Sequence, residues 1–177
     1  MPDETAPPRI SQFLAGLSPG PAESCGDFGL SIGRDGTWYH RGSPIGRIAL
    51  VKLFARVLRR EADGRYWLAT PYERGTIEVA DSPFVGVDVD FAGDGSSQIV
   101  TLRTNLDETV ALGPAHPLRV AAGADGARVP YVTVRDGLEA RIARAPFYRL
   151  VDRAVPGPDG ALGVWSQGVF HVLGPMP

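Results

Sequence analysis

Half of the chain's Lys and Arg residues fall between Arg34 and Arg74, with few acids among them. Within that stretch Arg41 and Arg47 flank Gly42-Ser43-Pro44, where Ser43 suits a helix N-cap and Pro44 the first helical position. A helix start leaves N–H groups unpaired at the positive end of the helix dipole. Beside two guanidiniums it would hold a phosphate or carboxylate, so Arg41, Ser43 and Arg47 are the candidate anion ligands. Thr70, Pro71 and Glu73 occupy an inter-strand loop, the usual place for functional side chains. Tyr148, Trp165 and Ser166, with Thr70 and Glu73, complete the residues expected to line a ligand cleft. Trp38 and Tyr39 also offer faces for a planar ligand, although core packing is the commoner fate of aromatics.

Other chemistry is poorly supported. Cys25 is the single cysteine; it can form no internal disulfide, and no base stands near it to activate the thiol. Asp27-Phe28-Gly29 copies the metal-binding triplet of protein kinases but lacks every companion motif, so the match is accidental. Neither a Walker loop nor a Gly-x-Gly-x-x-Gly run follows a strand. His40, His116 and His171 lack ligand spacing. Asp88 and Asp90 share one strand face and could meet a cation, but a solvated face is favoured. Lys52, Arg56 and Arg59 share a helix face that reads as solvent-facing. No catalytic set, metal site or cofactor is expected.

Composition sets outer bounds. A chain of 177 residues can bury a core without disulfide or metal. A formal net charge of -2 argues against nucleic-acid polymers and anionic membranes as partners. The acidic, proline-rich start lacks the cationic-then-apolar pattern of a secretory signal, so a cytoplasmic location is expected. No protein partner can be read from the sequence.

The elements that must position these residues follow from periodicity. Residues 1–9 read as a disordered tail and Ile10 to Leu17 as a short amphipathic helix. Leu30–Gly33 and Thr37–His40 form a hairpin about Asp35-Gly36. A helix is expected from Pro44 to Glu61, with Leu50, Val51, Phe54, Val57 and Leu58 on its apolar face. Strands follow at Arg65–Thr70 and Thr76–Ala80. Phe84–Phe91 alternates, with Val85, Val87 and Val89 on one face. Further strands are expected at Gln98–Arg103, Thr109–Leu112, Leu118–Ala122 and Val129–Val134. A second helix is expected from Pro146 to Arg153, before strands at Leu162–Ser166 and Val169–Leu173.

The chain echoes itself. Arg34-Asp-Gly36, a helix with Leu50-Val51, Asp63-Gly64 and Trp67 recur as Arg135-Asp-Gly137, Leu150-Val151, Asp159-Gly160 and Trp165. The expected fold is therefore α+β, in two related halves of mainly antiparallel strands with one main helix each. Residues 10–80 form the N-terminal half and 81–177 the β-rich C-terminal half.

The run Asp35-Gly36, Trp38, Gly42-Ser-Pro-Ile45, Arg47, Thr70-Pro71, Glu73 and Asp81-Ser-Pro-Phe84 resembles the bacterial domain-of-unknown-function family 1285. So do Pro130-Tyr131, Val134-Arg135, Gly137-Leu-Glu-Ala140, Phe147-Tyr148, Trp165-Ser166, Gly168 and Leu173-Gly174. The resemblance implies a duplicated core, a C-terminal half superficially like pleckstrin-homology folds, and a nucleotide-like ligand between the halves with a role in signalling. It implies no enzymatic activity. The leading expectation is a non-catalytic ligand-binding or regulatory protein holding an anionic small molecule. The alternatives are an enzyme on a phosphorylated or acyl substrate with Glu73 or an aspartate as general base, and a protein-interaction module.

Overall fold

The computed structural model describes residues 26–70, 73–123 and 125–176. The expected tail, the helix over 10–17, Cys25 and Pro71 lie outside the described residues. The chain divides into two compact units, one holding 26–33, 37–70 and 73–80, the other 34–36, 81–123 and 125–176.

In the first unit, β1 (Gly26–Ile32) pairs antiparallel with β2 (Trp38–His40). Strand β3 (Ser43–Pro44) continues that sheet. Here the structure corrects the expected helix start: Ser43 faces His40 and Pro44 faces Tyr39 in a ladder. The cause is the two-residue turn between them, Arg41-Gly42, with φ of 48° and 82°. Two successive left-handed residues are what a tight hairpin demands, and this outweighs the capping preference of Ser43. Helix α1 begins later, at Ile48, and runs to Val57. It ends early because Leu58 leaves it for β4 (Leu58–Arg60), pairing with Leu68 of β5 (Tyr66–Ala69).

Strand β6 (Arg74–Val79) pairs antiparallel with β5 and parallel with β1, closing a six-stranded sheet of order β3-β2-β1-β6-β5-β4. Val51, Phe54 and Ala55 recur at helical spacing and are buried. Trp38 stacks on Phe54 with ring centroids 6.1 Å apart.

The second unit contains β7 (Phe84–Ala92), β8 (Ile99–Thr104), β9 (Thr109–Ala111), β10 (Leu118–Ala122), β11 (Arg128–Arg135) and β12 (Leu138–Ile142), in the order β10-β11-β12-β7-β8-β9. The expected alternation in β7 holds only in part. Phe84, Gly86 and Val89 point inward, whereas Val87 is exposed. A register shift between Gly86 and Asp88 inserts one residue and swaps the faces.

Helix α2 (Arg144–Asp152) follows β12 and buries Pro146 and Leu150. Strands β13 (Val155–Pro156), β14 (Ala161–Ser166) and β15 (Val169–Pro175) form a separate antiparallel meander. A hairpin, a helix and a three-stranded meander thus succeed one another in each unit, with Trp67 on β5 and Trp165 on β14. Among the described residues no helix is long and apolar enough to cross a membrane.

Candidate functional site

The basic neighbourhood of the first unit is largely spent on structure. Arg65 pairs with Asp63 at 2.7 Å and Arg74 with Glu61. Both guanidiniums also lie over the Trp67 ring, at 5.4 and 4.2 Å from its centre. Arg59 belongs to β4 rather than to the helix, and its Nη1 donates to the carbonyls of Arg56 and Leu58 at the end of α1. The Lys52, Arg56 and Arg59 face therefore does not form as expected.

Arg41 sits in the β2–β3 turn and its backbone N–H donates to the Gly29 carbonyl at 2.7 Å. Ser43 is exposed in β3. Arg47 is exposed at the N-cap of α1, and no side chain caps that helix. Thr70 and Glu73 close the β5–β6 loop: Thr70 Oγ1 donates to the Glu73 carbonyl and accepts from its N–H, at 3.1 and 3.0 Å.

The three candidates of the second unit divide. Ser166 is fully buried, and its hydroxyl donates to the Leu112 carbonyl at 2.7 Å while accepting from Val100 N–H at 2.9 Å. That hydroxyl joins the meander to the larger sheet. Trp165 meets Phe170 edge-on, centroids 5.2 Å apart. Tyr148 is different: it is 57% exposed and lines a cavity of about 410 Å³.

The sequence pattern explains how this cavity forms. The Asp136-Gly137 turn folds β11 against β12 and sets Tyr131 opposite Arg141. Strand β12 runs parallel to β7, which brings the segment preceding Phe84 alongside Arg141. There Ser82 Oγ donates to the Phe84 carbonyl and accepts from Arg141 N–H, fixing the turn that carries Asp81. Tyr131 donates to Asp81 Oδ1 at 2.7 Å, and Arg141 lies 3.7 Å from Oδ2. Burial, then the Asp81 hydrogen bond, push the Tyr131 phenol up to about 12.

Arg34, Arg128 and Arg144 also line the cavity, exposed and without an ion-pair partner among the described residues. Arg144 is the first residue of α2, whose N-cap, Ala143, has no capping side chain. The cavity's other carboxylate, Asp125, accepts from Ala127 N–H at 3.1 Å. Sequence reading missed this cluster. Its signal was a second run of arginines, from Arg128 to Arg153, and a helix start with Arg and Pro but no Ser, Thr, Asp or Asn cap.

The family assignment rests on two adjoining matches. The model described as "Domain of unknown function (DUF1285), N-terminal domain" matches residues 20–82, and that described as "Protein of unknown function (DUF1285), C-terminal domain" matches 83–173. The chain belongs to the DUF1285 family. The crystal structure of a DUF1285 family protein from Silicibacter pomeroyi DSS-3 is 44% identical, with a TM-score of 0.81 over 89% of this chain and 88% of that one. A DUF1285 family protein from Shewanella baltica OS155 is 25% identical, with a TM-score of 0.56 over 70% of this chain and 91% of that one. No curated protein matches the chain. Asp81-Ser-Pro-Phe84 and Pro130-Tyr131, two motifs through which the DUF1285 likeness was read, both contribute to the cavity wall or to the turn behind it.

Proposed function

We propose that this DUF1285 protein is a cytoplasmic, non-catalytic ligand-binding or regulatory protein, and that its anionic small-molecule ligand occupies the cavity beside α2. The observation that carries the reading is the convergence of Arg34, Arg128 and Arg144, none with an ion-pair partner among the described residues, on one concave site. Guanidiniums left free around a cavity favour carboxylate or phosphate guests. The start of α2 adds the positive end of a helix dipole.

A binding role fits the lining better than catalysis does. Both oxygens of Asp81 are engaged and Asp125 is tied to a backbone N–H, so neither carboxylate is poised as a general base. Tyr131, held protonated, is no nucleophile near neutral pH. The nucleotide-like ligand and the signalling role implied by the family resemblance are compatible with this chemistry.

A thermal-shift screen against phosphorylated and carboxylated small molecules tests the reading. Ligand at a hundredfold its Kd stabilises by about 2.7 kcal/mol, or several degrees at roughly 2–4 °C per kcal/mol. The expected result is a shift for anions that is lost in Arg128→Gln. A shift that persists undiminished in that variant would move the ligand elsewhere.

A further inference from the structure

Charge balance around the same cavity specifies the guest more narrowly. Four guanidiniums, Arg34, Arg128, Arg141 and Arg144, face two carboxylates, Asp81 and Asp125, which leaves a net charge of +2. The phenol of Tyr131 is neutral. Arg141 and Asp81 largely cancel each other at 3.7 Å, so the surplus resides on Arg34, Arg128 and Arg144. The backbone N–H of Arg144 adds to it: it has no hydrogen-bond partner among the described residues, since the first turn of α2 has no side-chain cap.

Resting on the anion-binding reading above, we infer that the site selects dianions over monoanions and takes its ligand as a phosphomonoester in the doubly charged form. A monoanion leaves one guanidinium uncompensated as water is displaced from the cavity, whereas a dianion matches the surplus. The walls supply no further cation to offset a third negative charge. Phe147 and Tyr148 of α2 also line the cavity and offer ring surface to the uncharged part of the molecule.

Phenyl phosphate and phenyl sulfate separate the two levels of the argument, because they share size and ring but differ in charge. Titration calorimetry of the full chain at pH 7.5 is expected to show phenyl phosphate bound at least about tenfold more tightly than phenyl sulfate. The ratio should collapse at pH 5, below the second phosphate pKa of about 6. Phenyl sulfate keeps a single charge at both pH values and reports any change in the protein itself. Arg144→Gln, an exposed substitution, should weaken phenyl phosphate about tenfold or more. Equal affinity for the two esters, with both weakened by Arg144→Gln, overturns the dianion inference and leaves the anion site standing. Binding of neither ester, or binding that Arg144→Gln leaves untouched, overturns both.

Discussion

Tyr131 donates its phenolic hydrogen bond to Asp81 at 2.7 Å, across 50 residues of sequence, and the same carboxylate lies 3.7 Å from Arg141. Arg119 covers the other side, with its guanidinium 4.4 Å from the centre of the Tyr131 ring and both nitrogens on Glu139 at 2.6 Å. The phenol is thus fixed from two directions, and it forms a wall of the cavity rather than a reactive group in it.

This relationship has a titration signature. The folded phenol ionises near 12, above the value of about 10 expected once unfolded. Its stabilising contribution is therefore complete below pH 10 and is lost as pH rises from 10 through 12. Ultraviolet titration should show one tyrosinate appearing near pH 12. In Asp81→Asn that transition should move down toward 10, because the charge and the strong acceptor are gone. An unmoved transition would remove Asp81 as a cause.

His171 gives the opposite dependence. It is buried, and desolvation lowers its imidazole below the ordinary value. Its Nδ1 accepts from Leu118 N–H at 3.4 Å, which requires a neutral ring. Stability contributed by this histidine is present above pH 6.5 and lost as pH falls below it, since the unfolded chain takes up the proton first. The melting midpoint should fall between pH 7 and pH 5.5, and the slope should flatten in His171→Gln. An equal slope in both proteins would assign the acid sensitivity to other groups.

Ser166 should behave as a structural residue. Ser166→Ala strands the Val100 N–H and the Leu112 carbonyl, both buried, at about 1–3 kcal/mol each. A loss of roughly 2–6 kcal/mol lowers the midpoint by about 4–24 °C. Anion affinity measured below the new midpoint should be unchanged. A selective loss of affinity with normal melting would restore Ser166 to the ligand site.

The sequence made these outcomes only partly visible. Hairpins and helices with strong local patterns, such as the Asp35-Gly36 turn and the buried Val51 and Phe54 of α1, were legible because neighbours in sequence decide them. The β3 strand was not, because Ser43-Pro44 suits a helix start and only pairing with Tyr39 and His40 reveals its role. The Gly86–Asp88 bulge left no mark in the alternation of side chains. Of the expected ligand residues Tyr148 alone lines the cavity. Arg128, Arg141 and Arg144 are brought together by strand register, and residue types by themselves do not encode register.

The most direct test compares two arginines at helix starts, Arg47 before α1 and Arg144 opening α2. Both are exposed and carry no ion pair among the described residues, so replacing either should leave folding intact. Calorimetric titration with phenyl phosphate should give wild-type affinity for Arg47→Ala and at least about tenfold weaker binding for Arg144→Gln. The reverse pattern, loss in Arg47→Ala with Arg144→Gln unaffected, would contradict the account and return the anion site to Arg41, Ser43 and Arg47.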